Sequence, residues 1–244
     1  MSSLKSKHIL LIETSTSLCS VALAEGSCAA DASVVAYRQS DTPRAHASMT
    51  AVFIKEVLDS RSLKATDLDA VALSSGPGSY TGLRVGSSTA KGICFGAGVP
   101  LIAVPTLDIL VEQAIVDGVL PEGCRTIIPM IDARRMEVYC AQFCTDADGR
   151  FTRKGEVAPL VVESGCFADT LAAGPVLFIG DGAAKCSDVI AAPGASFIQC
   201  CPRADAMARK AFEALDTKHF EDTAYFEPFY LKEFVATVSK KSLF

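Results

Sequence analysis

The chain has 244 residues, of which 50% are apolar and 21% charged, with 17 Gly. That is a globular composition, large enough for one sizeable domain or two compact lobes, and it excludes a disordered or fibrous chain. The formal charge is −5 and no basic run is longer than a doublet, Arg134-Arg135 and Lys240-Lys241 among them, so the electrostatic footprint of a free-standing nucleic-acid binder is missing and any work on RNA is expected to be indirect.

Residues 1–8 are followed by only four apolar positions, 9–12, before Glu13. This is too short for a signal-peptide core, and no stretch approaches the roughly 20 apolar residues of a membrane span, so a cytoplasmic chain is expected. The ten Cys form no CxxC pair, which removes the usual zinc spacings and reads as reduced, buried thiols. Residues 9–12, 18–23 and 33–37 have strand character and are joined by short polar turns, as in hairpins or a meander. A helix is expected over about 45–60, started by Asp41 or Thr42 with Pro43 following. Its apolar residues divide into two stripes, with Ala45, Met49, Val52 and Phe53 on one side and Ala47, Ala51, Ile54 and Leu58 nearly opposite. Such a helix is sandwiched, either inside its own fold or between the fold and a partner.

Residues 68–73 form the next strand, followed by the loop Gly76-Pro-Gly-Ser-Tyr-Thr-Gly82 and a helix over about 83–97. Gly86, Ala90 and Cys94 recur at intervals of four, leaving a nearly bare face for close approach by another backbone. Internal packing and a partner surface are both open for it. Then come a strand over 100–104, a helix over 106–116, strands over 126–131, 137–143 and 176–179, and a helix over 202–215. The strand pair with its polar turn near 126–143 echoes the opening near 9–37, a hint of two similar lobes.

Three turns close apolar strands: Glu13-Thr14-Ser15, Gly76-Pro77-Gly78 and Gly180-Asp181-Gly182. Asp132 ends a fourth strand. Loops of this kind can turn backbone N–H groups and hydroxyls toward a phosphate, or the glycines can simply turn corners. The three His, at 8, 46 and 219, give neither HExxH nor HxxxH, so no metal site is expected, and His46 reads as a capping or interface residue. A GxSxG elbow is absent and no Cys lies near a base, so no catalytic residue is assigned.

Several blocks carry a resemblance. They are the opening Ile9-Leu-Leu-Ile-Glu-Thr-Ser-Thr-Ser17 and Cys19-Ser-Val-Ala-Leu23, the long block Ser75-Gly-Pro-Gly-Ser-Tyr-Thr-Gly-Leu-Arg-Val-Gly86, Ala90-Lys-Gly92, Pro105-Thr-Leu107, Asp132-Ala-Arg134 with Glu137-Val-Tyr139, Gly180-Asp-Gly-Ala183, and Glu227-Pro-Phe-Tyr-Leu-Lys232. In this order the chain resembles the TsaB (YeaZ-like) family. The resemblance implies an α/β fold of the actin-like, Hsp70-like and sugar-kinase-like (ASKHA) kind, with two ribonuclease H-like lobes, 1–105 and 106–221, a cleft between them, and a C-terminal segment, 222–244. It also implies a division of labour. A paralogue, TsaD, carries the metal and transfers the threonylcarbamoyl group to adenosine 37 of tRNA, an ATPase, TsaE, joins the assembly, and chains like this one support TsaD without catalysis.

Both TsaB and TsaD have carried the label of glycoproteases of the M22 peptidase family. Where the paralogue has two metal-binding His, this chain has Thr106 and Leu110, and Asp132-Ala-Arg-Arg135 stands in place of a Gly-Gly phosphate turn. The expected partner surface is the two helices near 45–60 and 83–97, through His46, Met49, Val52, Phe53, Gly82, Gly86 and Ala90, with a two-fold homodimer when the partner is absent. No tightly bound cofactor is expected, with ATP or ADP only in the complex. The alternatives are a cleft ATPase or kinase using Glu13, Thr14, Gly76, Asp132 and Gly182, and a peptidase.

Overall fold

A strand that is apolar on both faces must be covered on both. Ile9, Leu10, Leu11 and Ile12 are fully buried, and they form the heart of β1 (Lys7–Glu13) in a computed structural model that describes residues 6–42 and 45–231. β1 pairs antiparallel with β2 (Cys19–Gly26), which pairs antiparallel with β3 (Ser33–Ser40). On its other side β1 runs parallel to β4 (Ala70–Ser74), and β4 parallel to β5 (Leu101–Val104). Parallel neighbours need long crossovers. These are α1 (His46–Asp59) between β3 and β4, and α2 (Tyr80–Ala97) between β4 and β5. α3 (Thr106–Val116) then leads out of the sheet.

The same unit occurs again. β6 (Thr126–Asp132), β7 (Glu137–Thr145) and β8 (Phe151–Val161) are consecutive antiparallel strands. After the short α4 (Ala168–Ala172), β9 (Val176–Gly180) lies parallel to β6. After α5 (Ala183–Cys186), β10 (Ala195–Gln199) lies parallel to β9. A 3-10 turn (Ala204–Met207) and α6 (Ala208–Thr217) follow. The sheet orders, β3-β2-β1-β4-β5 and β10-β9-β6-β7-β8, are the same order and sense about their central strands. The echo between 9–37 and 126–143 is the first three strands of each unit.

The two units exchange their last helices. α1 and α2 cover one face of the first sheet, where Phe53, Ile54, Val57 and Ala90 pack on Leu10, Ile12 and Leu73. The other face, Ile9, Leu11, Ala22 and Ile102, is covered by Met207, Ala211 and Phe212 from the end of the second unit. In return α3 places Leu107, Leu110, Val111 and Ala114 on Ile127, Ile131 and Leu177 of the second sheet. Two arginines fasten the exchange. Arg209 of α6 grips both carboxylate oxygens of Glu112 on α3, with Nε–Oε2 at 2.7 Å, and Arg203 reaches both oxygens of Asp117 at 2.8 and 3.0 Å.

Three sequence expectations change. α2 starts at Tyr80, not 83, because Ser79 caps it and its Oγ accepts from Gly82 N at 3.3 Å. α1 has a single buried face, Thr50, Phe53, Ile54, Val57 and Leu58, so Phe53 and Leu58 lie on one stripe and not on opposite ones. β8 and β10 were not expected, because edge strands leave one side to solvent and carry no long apolar run. Pro43, Lys232, the rest of the 222–244 segment past Leu231, and the doublet Lys240-Lys241 lie outside the described residues. Among the described residues no helix is long and apolar enough to cross a membrane.

Candidate functional site

The first candidate region is where β1, β4, β6 and β9 end. Glu13 closes β1 at 0% exposure; its Oε1 accepts from Ser15 N at 2.5 Å and its Oε2 has no protein partner. Burial pushes this carboxyl up to about 7, against the lowering effect of the Ser15 and Ser74 hydrogen bonds, and the charge of Asp181 adds to the rise. Thr14 Oγ1 donates to Gly82 O at 2.8 Å, and Ser79 N donates to Ser15 O at 2.6 Å. The turn after β1 is thereby sewn to the start of α2.

The glycines of the long block serve this seam. A Cβ on Gly78 would lie 2.3 Å from Ser15 O, one on Gly82 2.0 Å from Thr14 O, and one on Gly86 2.3 Å from Thr14 Oγ1. Gly76 sits at φ +104°, and its carbonyl accepts from Thr106 N at 2.9 Å. In the second unit a Cβ on Gly180 would lie 2.1 Å from Met130 O, and one on Gly182 2.9 Å from Val138 Cγ1. Each of these glycines therefore has an internal reason to be glycine.

The ends of β6 and β9 are acidic. Asp181 Oδ1 accepts from Asp132 N at 2.8 Å, and burial pushes Asp181 up to about 6. Asp132 pairs with Lys185, whose Nζ also donates to Glu137 O at 2.6 Å. Three carboxyl groups, Glu13, Asp132 and Asp181, two of them pushed up by burial, against one ammonium make a poor cradle for polyphosphate unless a cation accompanies it. Thr106 is fully buried with its Oγ1 unpartnered, as are Ser15 Oγ, Thr16 Oγ1 and Gln113 Oε1. Thr106 and Gln113 project from α3, so this helix and the turn after β1 carry most of the unpartnered buried oxygens. Among the described residues no group of three or more His, Cys, Asp or Glu is arranged to hold a metal ion.

The second region is the outer face of α1 and α2, and here the residue assignments change. Phe53 is 6% exposed and Ala90 0%, and Gly82 and Gly86 are buried against Thr14. These four are core, because the Gly82–Gly86–Ala90–Cys94 stripe is the one that packs on the first sheet. His46 is half-buried, its Nε2 2.8 Å from Thr16 O, so it braces the turn after β1. Met49 is half-buried at the rim and Val52 is exposed. The exposed stripe of α2 lies two residues further round: Arg84, Ser88, Gly92 and Gly96, with Phe95 beside it, where a Cβ on Gly92 or Gly96 meets nothing within 4 Å. Phe95 is 89% exposed. On α1, packed beside it, Ala47, Ser48, Ala51 and Val52 are exposed. This stripe has the same spacing of four as the buried one, and Phe95 amid small residues is the signal that could have found it.

The segment that follows α6 crosses this side of the molecule. Phe226 enters the first core, Phe229 N donates to Ser75 O at 2.7 Å, and Lys91 Nζ of α2 donates to Ala224 O and Phe226 O, both at 3.1 Å. Tyr230 packs at a tilt against Tyr80, ring centroids 5.0 Å apart, and Arg84 lies over the Tyr80 ring at 4.9 Å.

This arrangement matches known proteins. A family model described as TsaD: tRNA N6-adenosine threonylcarbamoyltransferase matches residues 39–238. The tRNA threonylcarbamoyladenosine biosynthesis protein TsaB of Escherichia coli is 35% identical over 142 residues, 58% of this chain and 57% of that protein. Its namesake from Haemophilus influenzae is 34% identical over 55% of this chain and 52% of that protein. The chain belongs to the TsaB/YeaZ family. Its alignments thus span just over half the length of these curated relatives. The solved structure of YeaZ from Pseudomonas aeruginosa extends the likeness, with a TM-score of 0.78 at 26% identity over 92% of this chain and 100% of that one. The family's fold therefore includes both units and the exchanged helices, and the long Gly-Pro-Gly block that marks the resemblance is the seam between the turn after β1 and α2.

Proposed function

We propose that this chain is a non-catalytic scaffold in the formation of N6-threonylcarbamoyladenosine at position 37 of tRNA, where it binds and stabilises a TsaD-type transferase. The relatives named for threonylcarbamoyladenosine biosynthesis support the pathway, and the outer face of α1 and α2 supports the role. That face is the observation that carries the reading. On the packed helices α1 and α2, Ala47, Ala51 and Val52 and then Ser88, Gly92 and Gly96 are exposed small or apolar residues, with an exposed Phe95, a composition that would let two further helices approach closely. Burying Phe95 and Val52 there would contribute on the order of 1.5–3 kcal/mol each. The duplicated unit supports an ASKHA-type architecture. A TsaE-type ATPase as a further subunit, a two-fold homodimer through the same face in isolation, tRNA contact only through the complex, ATP or ADP only in the complex, and a cytoplasmic location belong to the same proposal.

The test is reconstitution. A pull-down with the TsaD-type paralogue should weaken at least about tenfold for Gly92→Leu combined with Val52→Asp, with the far-UV circular dichroism and Tm of the chain retained. Formation of the modified adenosine with all other subunits present should fall in parallel. A folded double variant that still binds the paralogue fully would overturn the reading.

A further inference from the structure

The C-terminal segment leaves an open groove of about 400 Å³ against the first sheet, on residues that the proposed partner face does not use. This is within the size range of pockets that take small ligands, roughly 300–1,000 Å³. Its walls carry three carboxyls, Glu221, Asp222 and Glu227, and three rings, Tyr225, Phe226 and Phe229, with no Lys, Arg or His in the lining. Phe226 is a buried anchor, whereas Tyr225 is 84% exposed and Phe229 47%. Asp222 Oδ1 is committed to the loop, accepting from Ala224 N at 2.8 Å and Tyr225 N at 3.3 Å. Among the described residues neither Glu221 nor Glu227 forms an ion pair. Lys91 reaches this segment from α2, but its ammonium is spent on the carbonyls of Ala224 and Phe226.

Carboxylates without an ion pair among the described residues, beside exposed rings in one concavity, are the complement of a planar cation. A guanidinium can engage both, stacking on a ring while its N–H fork donates to a carboxylate. Phosphate-bearing ligands are repelled by the same three acids. We infer that this groove docks an arginine-bearing extended segment of a partner protein. The inference does not rest on the scaffold reading, since it concerns residues 221–229 and would stand for any partner.

The probe is the peptide acetyl-Gly-Arg-Phe-Arg-Gly-amide, titrated into the full ¹⁵N-labelled chain at low salt. Saturable shifts should be confined to Ser75, Ala103 and residues 221–229. The same peptide with citrulline for arginine, which keeps the shape and removes the charge, should bind about tenfold more weakly. Glu221→Gln with Glu227→Gln should weaken the arginine peptide by a similar factor, and Tyr225→Ala, at an exposed position, should weaken it severalfold. Scattered shifts, equal binding of the citrulline peptide, or an unchanged Kd in the double variant would overturn the assignment. So would preferential occupation of the groove by a single-stranded oligonucleotide. Loss of groove binding in a chain that still binds the paralogue would separate this idea from the scaffold reading.

Discussion

Glu13 shows how a single buried residue ties the end of β1 to pH. Its carboxyl has an ordinary value of 4.5 and is pushed up to about 7, mainly by burial. The folded chain therefore holds a proton that the unfolded chain releases between those values. Bound protons favour the folded side across that window, so the stability contributed by neutral Glu13 is present below about 4.5 and is lost as pH rises toward 7. The loss is on the order of 3 kcal/mol, and Asp181, pushed up to about 6, adds a smaller loss of the same sign. Glu13→Gln keeps an oxygen for Ser15 N and cannot ionise. Urea unfolding at pH 5 and pH 8 should show the parent losing stability between the two and the variant losing much less; equal losses would contradict a neutral buried carboxyl. Gly82 makes the steric counterpart. Alanine is ordinarily the better helix former, yet here its Cβ would sit 2.0 Å from the Thr14 carbonyl, so Gly82→Ala should destabilise by roughly 1–3 kcal/mol.

At the scale of elements, α2 carries two stripes of small residues at the same spacing, and only their surroundings tell them apart. Gly82 and Gly86 face the turn after β1 and Ala90 the first sheet, while Ser88, Gly92 and Gly96 face outward. Gly92→Ala should therefore raise the stability of the isolated chain by about 0.5–1 kcal/mol, the helix preference with no steric penalty, the opposite sign to Gly82→Ala. Thermal unfolding of the two variants side by side checks this. The pair also shows what the amino-acid order could and could not disclose. Central strands such as residues 9–12 and 126–131 were legible because burial on both faces demands an unbroken apolar run. The edge strands β8 and β10 were not, since half their surface meets water and their composition resembles a loop. The turns at 13–15 and 76–78 were legible as a candidate site because Gly, Ser and Thr follow apolar strands. Their actual use, backbone packed on backbone, depends on a distant segment, and spacing along one helix carries no information about that. Phe53 was misplaced for the same reason: periodicity locates a stripe but not the body it faces.

For the whole molecule, the decisive feature is the exchange of α3 and α6. Residues 1–105 contain a complete sheet and its α1–α2 layer, yet the opposite face of that sheet, Ile9, Leu11, Ala22 and Ile102, is covered mainly by residues after 105, with Met207, Ala211 and Phe212 joined by Ile109 of α3. A chain cut after residue 105 would leave this face to water, at roughly 25 cal/mol for each Å² of apolar surface. It should fail to fold alone, with poor amide dispersion and binding of hydrophobic dyes. Mixed with the complementary fragment 106–244 it should regain native dispersion, because that fragment brings α6 to the first sheet and keeps α3 on its own. The intact chain, by the same reasoning, should unfold in one transition that coincides by tyrosine fluorescence and far-UV circular dichroism. The arginine clamps set how tightly the halves are held. Glu112 is nearly buried while Arg209 is 38% exposed, so Glu112→Ala frees Arg209 to water and should cost about 1–2 kcal/mol without splitting the transition. Two separate transitions in the intact chain, or a well-folded 1–105 fragment, would mean that each unit stabilises itself and that the exchanged helices are ornament to the cores they cover.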